Sequence, residues 1–417
     1  MMVPEETVIS VIGLGYVGLP SAALFASAGY RVVGVDVDER IVGAVNAGRC
    51  PFVEPGLTGL VSAAVDAGLL TATSAPVEAD VFLIAVPTPV QPGRGADLSY
   101  VEAATDSIAP LLRGGDLVVI ESTCPPGTAR AMAERVVAQR PDLSWQGDGA
   151  GVVHFAHCPE RVLPGRAMVE LVENSRIIGG LTDEAATRAR SLYSSVCRGE
   201  LRTTTAETAE LAKLTENAFR DVNIAFANEL SLVCARLGVD VWSLIELANL
   251  HPRVNILQPG PGVGGHCIAV DPWFIVAAAP QESRLIRTAR EVNDGKPEWV
   301  LEAIAQAVEA SGAQHVACLG LSFKADIDDT RESPAMHITA ELAARYPDLA
   351  IHVVEPHLET LPAELGAPNL RHSRLDTALD EAEVVVLLVD HTQFRAVDPR
   401  TLQGKRVIDT RGVWRQR

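Results

Sequence analysis

The thiol of Cys267 lies in the run Gly260-Pro-Gly-Val-Gly-Gly-His-Cys-Ile-Ala-Val-Asp-Pro-Trp-Phe274, where five of the nine residues from Gly260 to Ile268 are Gly or Pro. So bare a backbone forms a turn that a second molecule can approach closely, and a cysteine there has the setting of a nucleophile. A structural cysteine packs as a small apolar group among larger ones, and this run supplies few. His266 precedes the thiol and Asp271 follows four residues on. A second group of reactive types falls within 206–237, a stretch without Pro or Gly. Lys213, Asn217 and Arg220 stand at i, i+4 and i+7, so a helix there carries all three on one face, among Leu, Ala, Phe, Val and Ile. The competing reading is a solvated stripe with Glu210 and Glu216 as ion-pair partners. Asn is a mediocre helix former on an exposed face, which favours a role for Asn217.

A third group sits near the start. Residues 7–36 read as an apolar strand, a glycine turn, a helix and a second strand. Gly13, Gly15 and Gly18 match G-x-G-x-x-G, and Asp36 follows Gly18 by 18 residues at the end of the second strand. In that context the first glycine permits the turn, the second lets backbone N–H groups reach a pyrophosphate, and the third lets the helix pack on the strand. The Asp36 carboxylate suits the ribose hydroxyls of NAD and repels a 2′-phosphate, although Arg40 is close by. Strands at 81–86 and 117–120 run into Pro87-Thr-Pro89 and Glu121-Ser-Thr-Cys-Pro-Pro-Gly-Thr128. Thr88 and Thr123 therefore stand where open α/β sheets bind ligands, with turn capping as the plain alternative.

The elements that must position these groups are α/β in pattern. A strand at 315–320, followed by others at 351–355, 384–389 and 407–409, opens a second alternating segment, and its first strand leads into a charged loop, 321–334. Lys324 and Arg331 in that loop suit an anion such as a nucleotide diphosphate. The expected fold class is thus two Rossmann-like doubly wound domains joined by a long central helix of roughly 30 residues, capped by Thr203, Thr204 or Thr205. The expected boundaries are an NAD-binding domain over 1–202, a central helical domain with the cysteine loop over 203–300, and a second Rossmann-like domain for the anionic ligand over 301–417. A chain of 417 residues exceeds what one core supports. Its 35 basic against 53 acidic residues, net −18, oppose binding to nucleic acid or to anionic membranes. Seven scattered cysteines without a CxxC suggest neither a metal cage nor a disulfide framework. With no apolar run of about 18 residues and an acidic Met1-Met-Val-Pro-Glu-Glu6, a cytoplasmic protein is expected.

Taken in order along nearly the whole chain, Gly13-Leu-Gly-Tyr-Val-Gly-Leu-Pro20, Val86-Pro-Thr-Pro89, Glu121-Ser-Thr123, Cys158-Pro-Glu-Arg-Val-Leu-Pro-Gly165, Lys213-Leu-Thr-Glu-Asn217, Gly264-Gly-His-Cys267 and Phe323-Lys324 through Arg331-Glu-Ser-Pro334 resemble the UDP-glucose/GDP-mannose dehydrogenase family. The resemblance implies NAD-dependent, four-electron oxidation of the C6 alcohol of a UDP-sugar to a carboxylate through Cys267. Within the family, residues 216–230 and 251–267 favour UDP-N-acetyl-D-mannosamine, with UDP-N-acetylglucosamine and then UDP-glucose as alternatives. It further implies Lys213 as acid/base or oxyanion partner, Asn217 beside that oxygen, Asp271 and Thr123 on water or a proton relay, and Glu160 in hydrolysis. Gly13, Gly15, Tyr16, Val17, Gly18, Asp36, Thr88, Thr123 and Arg331 would hold NAD. Arg161, Val162, Lys213, Asn217, Arg220, His251, Arg253, Gly264, Phe323, Lys324 and Arg411 would hold the UDP-sugar. Arg253 would come from a partner subunit of a homodimer formed through the central helix. Cys124 is not required by the family motif and reads as a small core thiol. Arg411 stands in Asp409-Thr-Arg-Gly-Val-Trp414, where close relatives carry lysine, a change that keeps charge and alters geometry. A sensor that binds both ligands without turnover would have no need of a thiol and an amine, and a two-electron dehydrogenase of 3-hydroxy acids would have no need of Cys267.

Overall fold

A computed structural model describes residues 3–91, 93–162, 165–265 and 267–415. The chain divides into two compact units, Met1–Glu216 and Asn217–Arg417. In the first, β1 (Val8–Ile12), β2 (Arg31–Val35), β3 (Leu70–Thr73), β4 (Val81–Ile84), β5 (Leu117–Ile120), β6 (His154–His157), β7 (Arg176–Gly180) and β8 (Leu201–Thr205) form one sheet in the order β3-β2-β1-β4-β5-β6-β7-β8. Pairing is parallel except between β6 and β7. Strands β4 and β5 are apolar and buried at every position, as expected where helices cover both faces. In the second, β9 (His315–Leu319), β10 (Ala350–Val354), β11 (Leu370–His372), β12 (Val384–Leu387) and β13 (Arg406–Asp409) form an all-parallel sheet in the order β11-β10-β9-β12-β13. Both orders run outward from the first strand and reverse there, the doubly wound pattern whose ligands bind at the carboxyl ends of the strands.

The two sheets open with the same corner. After β1, Gly13 takes φ +96°, its N–H donates to Val35 O at 2.8 Å, and Leu14 N donates to the Asp36 carboxylate at 2.9 Å. After β9, Gly320 takes φ +93°, its N–H donates to Val354 O at 2.8 Å, and Leu321 N donates to the Glu355 carboxylate at 2.7 Å. In each, an acidic side chain ending the second strand gathers the backbone that leaves the first.

The long helix expected over 206–237 is Ala206–Leu237. It follows β8 directly, so Thr203 and Thr204 are strand residues, and Thr205 Oγ1 accepts Thr208 N at 3.3 Å. In the second unit its later turns pack against the Arg284–Ser311 helix through a buried polar seam. The buried Arg290 guanidinium donates to the buried Asp221 carboxylate at 2.6 Å. Asn293 Nδ2 donates to Asp221 Oδ1 and Asn228 Nδ2 to Asn293 Oδ1, each at 2.8 Å, and Lys296 Nζ donates to Ser231 Oγ at 2.6 Å. Asn228 Oδ1 then accepts Gly260 N at 2.9 Å, which ties the start of the cysteine loop to the helix pair.

Candidate active site

The glycine corner of the first unit has the shape its spacing predicts. A Cβ on Gly13 would lie 2.6 Å from Ala85 O, and one on Gly18 would lie 1.8 Å from Gly13 O, so both positions are closed by backbone. A Cβ on Gly15 would meet nothing within 4 Å. The middle glycine is thus the one whose bareness serves no internal contact, which is what close approach by a ligand requires. Tyr16 is half exposed beside the Phe52 ring, at 4.3 Å between centroids, and Val17 is half-buried just before the Gly18–Ser27 helix. Asp36 is half-buried and accepts Leu14 N and Asp38 N. Arg40 is bound by Asp38 at 2.7 Å, an arrangement that keeps its cation from Asp36 and supports the preference for NAD.

Thr88 and Thr123 meet: Thr88 Oγ1 donates to Thr123 O at 2.6 Å, so the turns after β4 and β5 are joined. Beneath them sits a residue that sequence reasoning left without a role. Glu121 is buried, accepts Tyr193 OH at 2.6 Å and Ser21 Oγ at 3.1 Å, and burial pushes its carboxyl up to about 7 against the opposing pull of Arg176. An acidic residue closing a fully apolar strand was the signal for it. Cys124 is buried as expected, 3.8 Å from His157 Nδ1, and desolvation holds its thiol well above the ordinary range. Glu160 is ion-paired with Arg176 at 3.1 Å and accepts Arg161 N, while Arg161 donates to Glu216 at 2.6 Å and to Ser175 O. Val162 packs at the edge of the first unit's core. Leu163, Pro164 and His266 lie outside the described residues.

The alternative of Glu210 and Glu216 as partners for the helix cations is not what the structure shows. Glu210 is buried and accepts Gly127 N at 2.6 Å and Ala129 N at 2.7 Å, capping the Thr128–Gln139 helix; Glu216 holds Arg161. Lys213 and Asn217 are half-buried one turn apart on the long helix, and Arg220 is exposed.

In the second unit, Asn217 Nδ2 donates to Asp271 Oδ2 at 2.6 Å, and Asp271 is buried. Asp271 begins the Asp271–Ala278 helix, and its N–H donates to Cys267 O at 2.9 Å. Cys267 is exposed, in the turn that leads into that helix. The loop's glycines are required by its neighbour. A Cβ on Gly264 would lie 2.5 Å from Glu332 O and 3.0 Å from Phe323 Cβ, and Gly265, at φ +83°, faces the Phe323 ring. The cysteine loop therefore lies flat on the charged loop after β9. Lys324 is exposed there, and Arg331 is held by Asp329 at 2.6 Å. Arg411 pairs with Asp390 at 2.8 Å and sets its guanidinium against Gly260, at the loop's other end. His251 and Arg253 are exposed on the segment leading into the loop, with Arg253 N donating to His251 Nδ1 at 3.3 Å.

A dinucleotide corner in one unit and, in the other, an exposed thiol turn tied to an Asn–Asp pair are features of a nicotinamide-dependent dehydrogenase. Family models of the UDP-glucose/GDP-mannose dehydrogenase family match the chain three times: its NAD binding domain over residues 7–197, its central domain over 207–295 and its UDP binding domain over 317–416. The chain belongs to that family. It is similar to the NDP-N-acetyl-D-galactosaminuronic acid dehydrogenase of Ralstonia nicotianae, at 56% identity covering 97% of this chain and 96% of that protein. It is similar also to the UDP-N-acetyl-D-mannosamine dehydrogenase of Salmonella typhi, at 54% identity covering 98% and 99%. Among solved structures, the UDP-N-acetyl-mannosamine dehydrogenase of Staphylococcus aureus superposes with a TM-score of 0.86 at 39% identity, covering 99% of this chain and 96% of that one.

Proposed function

We propose that the protein oxidises the C6 alcohol of UDP-N-acetyl-D-mannosamine to the carboxylate, using two NAD per sugar and Cys267 as the covalent anchor. The observation that carries this reading is the 2.6 Å bond from Asn217 to Asp271, which joins the polar face of the long helix to the helix whose amino end presents the thiol. Gly13, Gly15, Tyr16, Val17, Gly18, Asp36, Thr88 and Thr123 would hold NAD, with Arg331 reaching it, and the bound cofactor would supply the hydride acceptor for both oxidations. Lys213 takes the alcohol proton and, with Asn217, holds the developing oxyanion. The Cys267 thiolate adds to the aldehyde to give a thiohemiacetal, whose oxidation leaves a thioester. Water, oriented by Asp271 and Thr123 with Glu160 assisting, releases the acid and returns the thiol. Arg161, Val162, Arg220, His251, Arg253, Gly264, Phe323, Lys324 and Arg411 bind the UDP-sugar. In this reading residues 1–202 carry NAD, 203–300 the catalytic loop and 301–417 the UDP-sugar.

A homodimer through the long helix completes the reading and brings Arg253 to a partner's site. Phe219, Phe226 and Val233, seven residues apart, and Leu237 at the helix end are exposed by 70, 52, 46 and 69%. They form an apolar stripe of the kind that a second helix covers. No helix among the described residues is long and apolar enough to cross a membrane, and no disulfide occurs among them; the reducing cytoplasm is the compartment we assign.

A second sugar is favoured by one finding, the 56% relative named for N-acetyl-D-galactosaminuronic acid. The test is NADH formed per sugar consumed, with UDP-N-acetylmannosamine, UDP-N-acetylgalactosamine, UDP-N-acetylglucosamine and UDP-glucose run in parallel. Two NADH from the first alone supports the proposal; one NADH overturns the mechanism, and turnover of another sugar alone overturns the specificity.

A further inference from the structure

Away from the cysteine loop, on one face of the second sheet, two histidines and a carboxylate converge. His315 opens β9, His352 lies in β10, and Glu381 ends the Leu375–Glu381 helix. His352 Nε2 lies 3.2 Å from His315 Nδ1 and 3.3 Å from Glu381 Oε2, and the three ligand-type atoms are mutually within 4.8 Å. Parallel pairing of β9 with β10 sets His315 opposite Ala350 and His352 opposite Ala317, so the imidazoles are diagonal neighbours on one face of the sheet.

The polar atoms around His352 suit a metal-binding tautomer. Ser373 Oγ lies 3.0 Å from His352 Nδ1 and 3.2 Å from Arg371 O, so with its hydrogen turned to Arg371 O it accepts from Nδ1. In that tautomer the lone pair of Nε2 faces a carboxylate oxygen and a second imidazole nitrogen, an arrangement that a cation between them stabilises. The same arrangement, with one ring nitrogen donating to a protein oxygen and the other aimed inward, is how metal-binding histidines are held. The spacing agrees: tetrahedral zinc with bonds of about 2.0–2.1 Å separates its ligand atoms by about 3.3–3.4 Å. Glu381 is half exposed, which leaves a route in from solvent and room for water as a fourth ligand.

We propose that His315 Nδ1, His352 Nε2 and Glu381 form a binding site for a divalent transition metal of the zinc type, set by Ser373. It is separate from the residues proposed for catalysis and needs none of them.

The test is zinc binding to the full-length protein after chelator treatment, by equilibrium dialysis and thermal shift, for the wild type, Cys267→Ser, His315→Gln, Glu381→Gln and Ser373→Ala. Expected are one zinc per chain retained in Cys267→Ser and a zinc-dependent rise in Tm. Affinity should fall about 10–100-fold in Ser373→Ala, the loss typical of an outer partner, and at least as far in the two ligand variants. His315 and Glu381 are partly exposed, and their variants are checked for an unchanged Tm without metal. Zinc uptake lost only in Cys267→Ser would place the ion on the thiol and overturn the proposal. Uptake equal in all variants, or absent in the wild type, would overturn it equally and leave the trio as a hydrogen-bonded histidine–carboxylate cluster.

Discussion

The seam between the Ala206–Leu237 and Arg290-bearing helices makes a quantitative prediction. Arg290 and Asp221 have side chains exposed by 1% and 0%, in contact at 2.6 Å. Burial raises the Asp221 carboxyl above its ordinary range despite the guanidinium beside it. The guanidinium is shared, since its other nitrogen donates to the partly exposed Asp294. Replacing Asp221 alone with Leu leaves the buried Arg290 with only that outer partner, an error worth up to about 3–5 kcal/mol. For a chain segment of about 200 residues that is a fall in Tm of roughly 6–20 °C, at roughly 2–4 °C per kcal/mol. Replacing both, Asp221→Leu with Arg290→Met, removes the stranded charge and should recover most of the loss. The assay is a double-mutant cycle read from urea midpoints and calorimetry. A single variant that costs no more than about 1 kcal/mol, the value of an exposed pair, would refute the burial argument. A double variant no better than the sum of the singles would refute the coupling.

Other outcomes follow from the same geometry. Gly18→Ala should prevent stable folding of the first unit, since its Cβ would fall 1.8 Å from Gly13 O, whereas Gly15→Ala should fold normally and raise KM for NAD about tenfold or more through lost close approach; intact circular dichroism for Gly18→Ala would sink the distinction. Cys267→Ser should transfer hydride but release acid at least about 100-fold more slowly, seen as NADH formed without matching product in a quench assay. Glu121 and Glu210 are both pushed up to about 7 by burial, from ordinary values near 4.5. The fold then binds protons that the unfolded chain has released, so their contribution is full below about pH 4.5 and is lost as pH rises through about 7. Urea midpoints should fall over that window, and Glu121→Gln should flatten the decline.

The sequence made the fold class legible because fully apolar strands alternate with turns, and the glycine corner carries its own spacing. The long helix was legible from the absence of Pro and Gly. What it hid were partners fixed by distance in the chain. Glu210 looks like a surface acid on a helix, and only the fold brings it to the amino end of a helix that begins 82 residues earlier, at Thr128. Asn228, among alternating apolar and polar helix residues, carried no signal of its own, and its partners at Gly260 and Asn293 could not be inferred from local pattern. The Asn217–Asp271 bond is of the same kind: both residues stood out by type, and their meeting is tertiary.

The paired corners bear on how four electrons leave one sugar. At the first, a Cβ on Gly15 meets nothing and the loop stays open to a pyrophosphate. At the second, Gly320 is followed by Leu321, Ser322 and Phe323. Gly320 matches Gly13, which is closed as well; the counterpart of Gly15 is Ser322, which is buried with its hydroxyl on Lys324 O, and Glu355 is occupied by Leu321 N, Ser322 N and His391. The second corner keeps the strand geometry without a bare residue at the middle glycine's place, and the family's NAD binding domain matches the first segment while its UDP binding domain matches this one. Two oxidations at one NAD site must be sequential, with NADH leaving and NAD entering between them. The half-oxidised sugar has to be retained during that exchange, and in the proposed scheme a covalent bond to Cys267 would retain it irrespective of how loosely the aldehyde itself binds. Under this scheme, aldehyde trapped by a hydrazine during turnover should rise steeply in Cys267→Ser over the wild type; equal trapping in both would show that the thiol does not hold the intermediate.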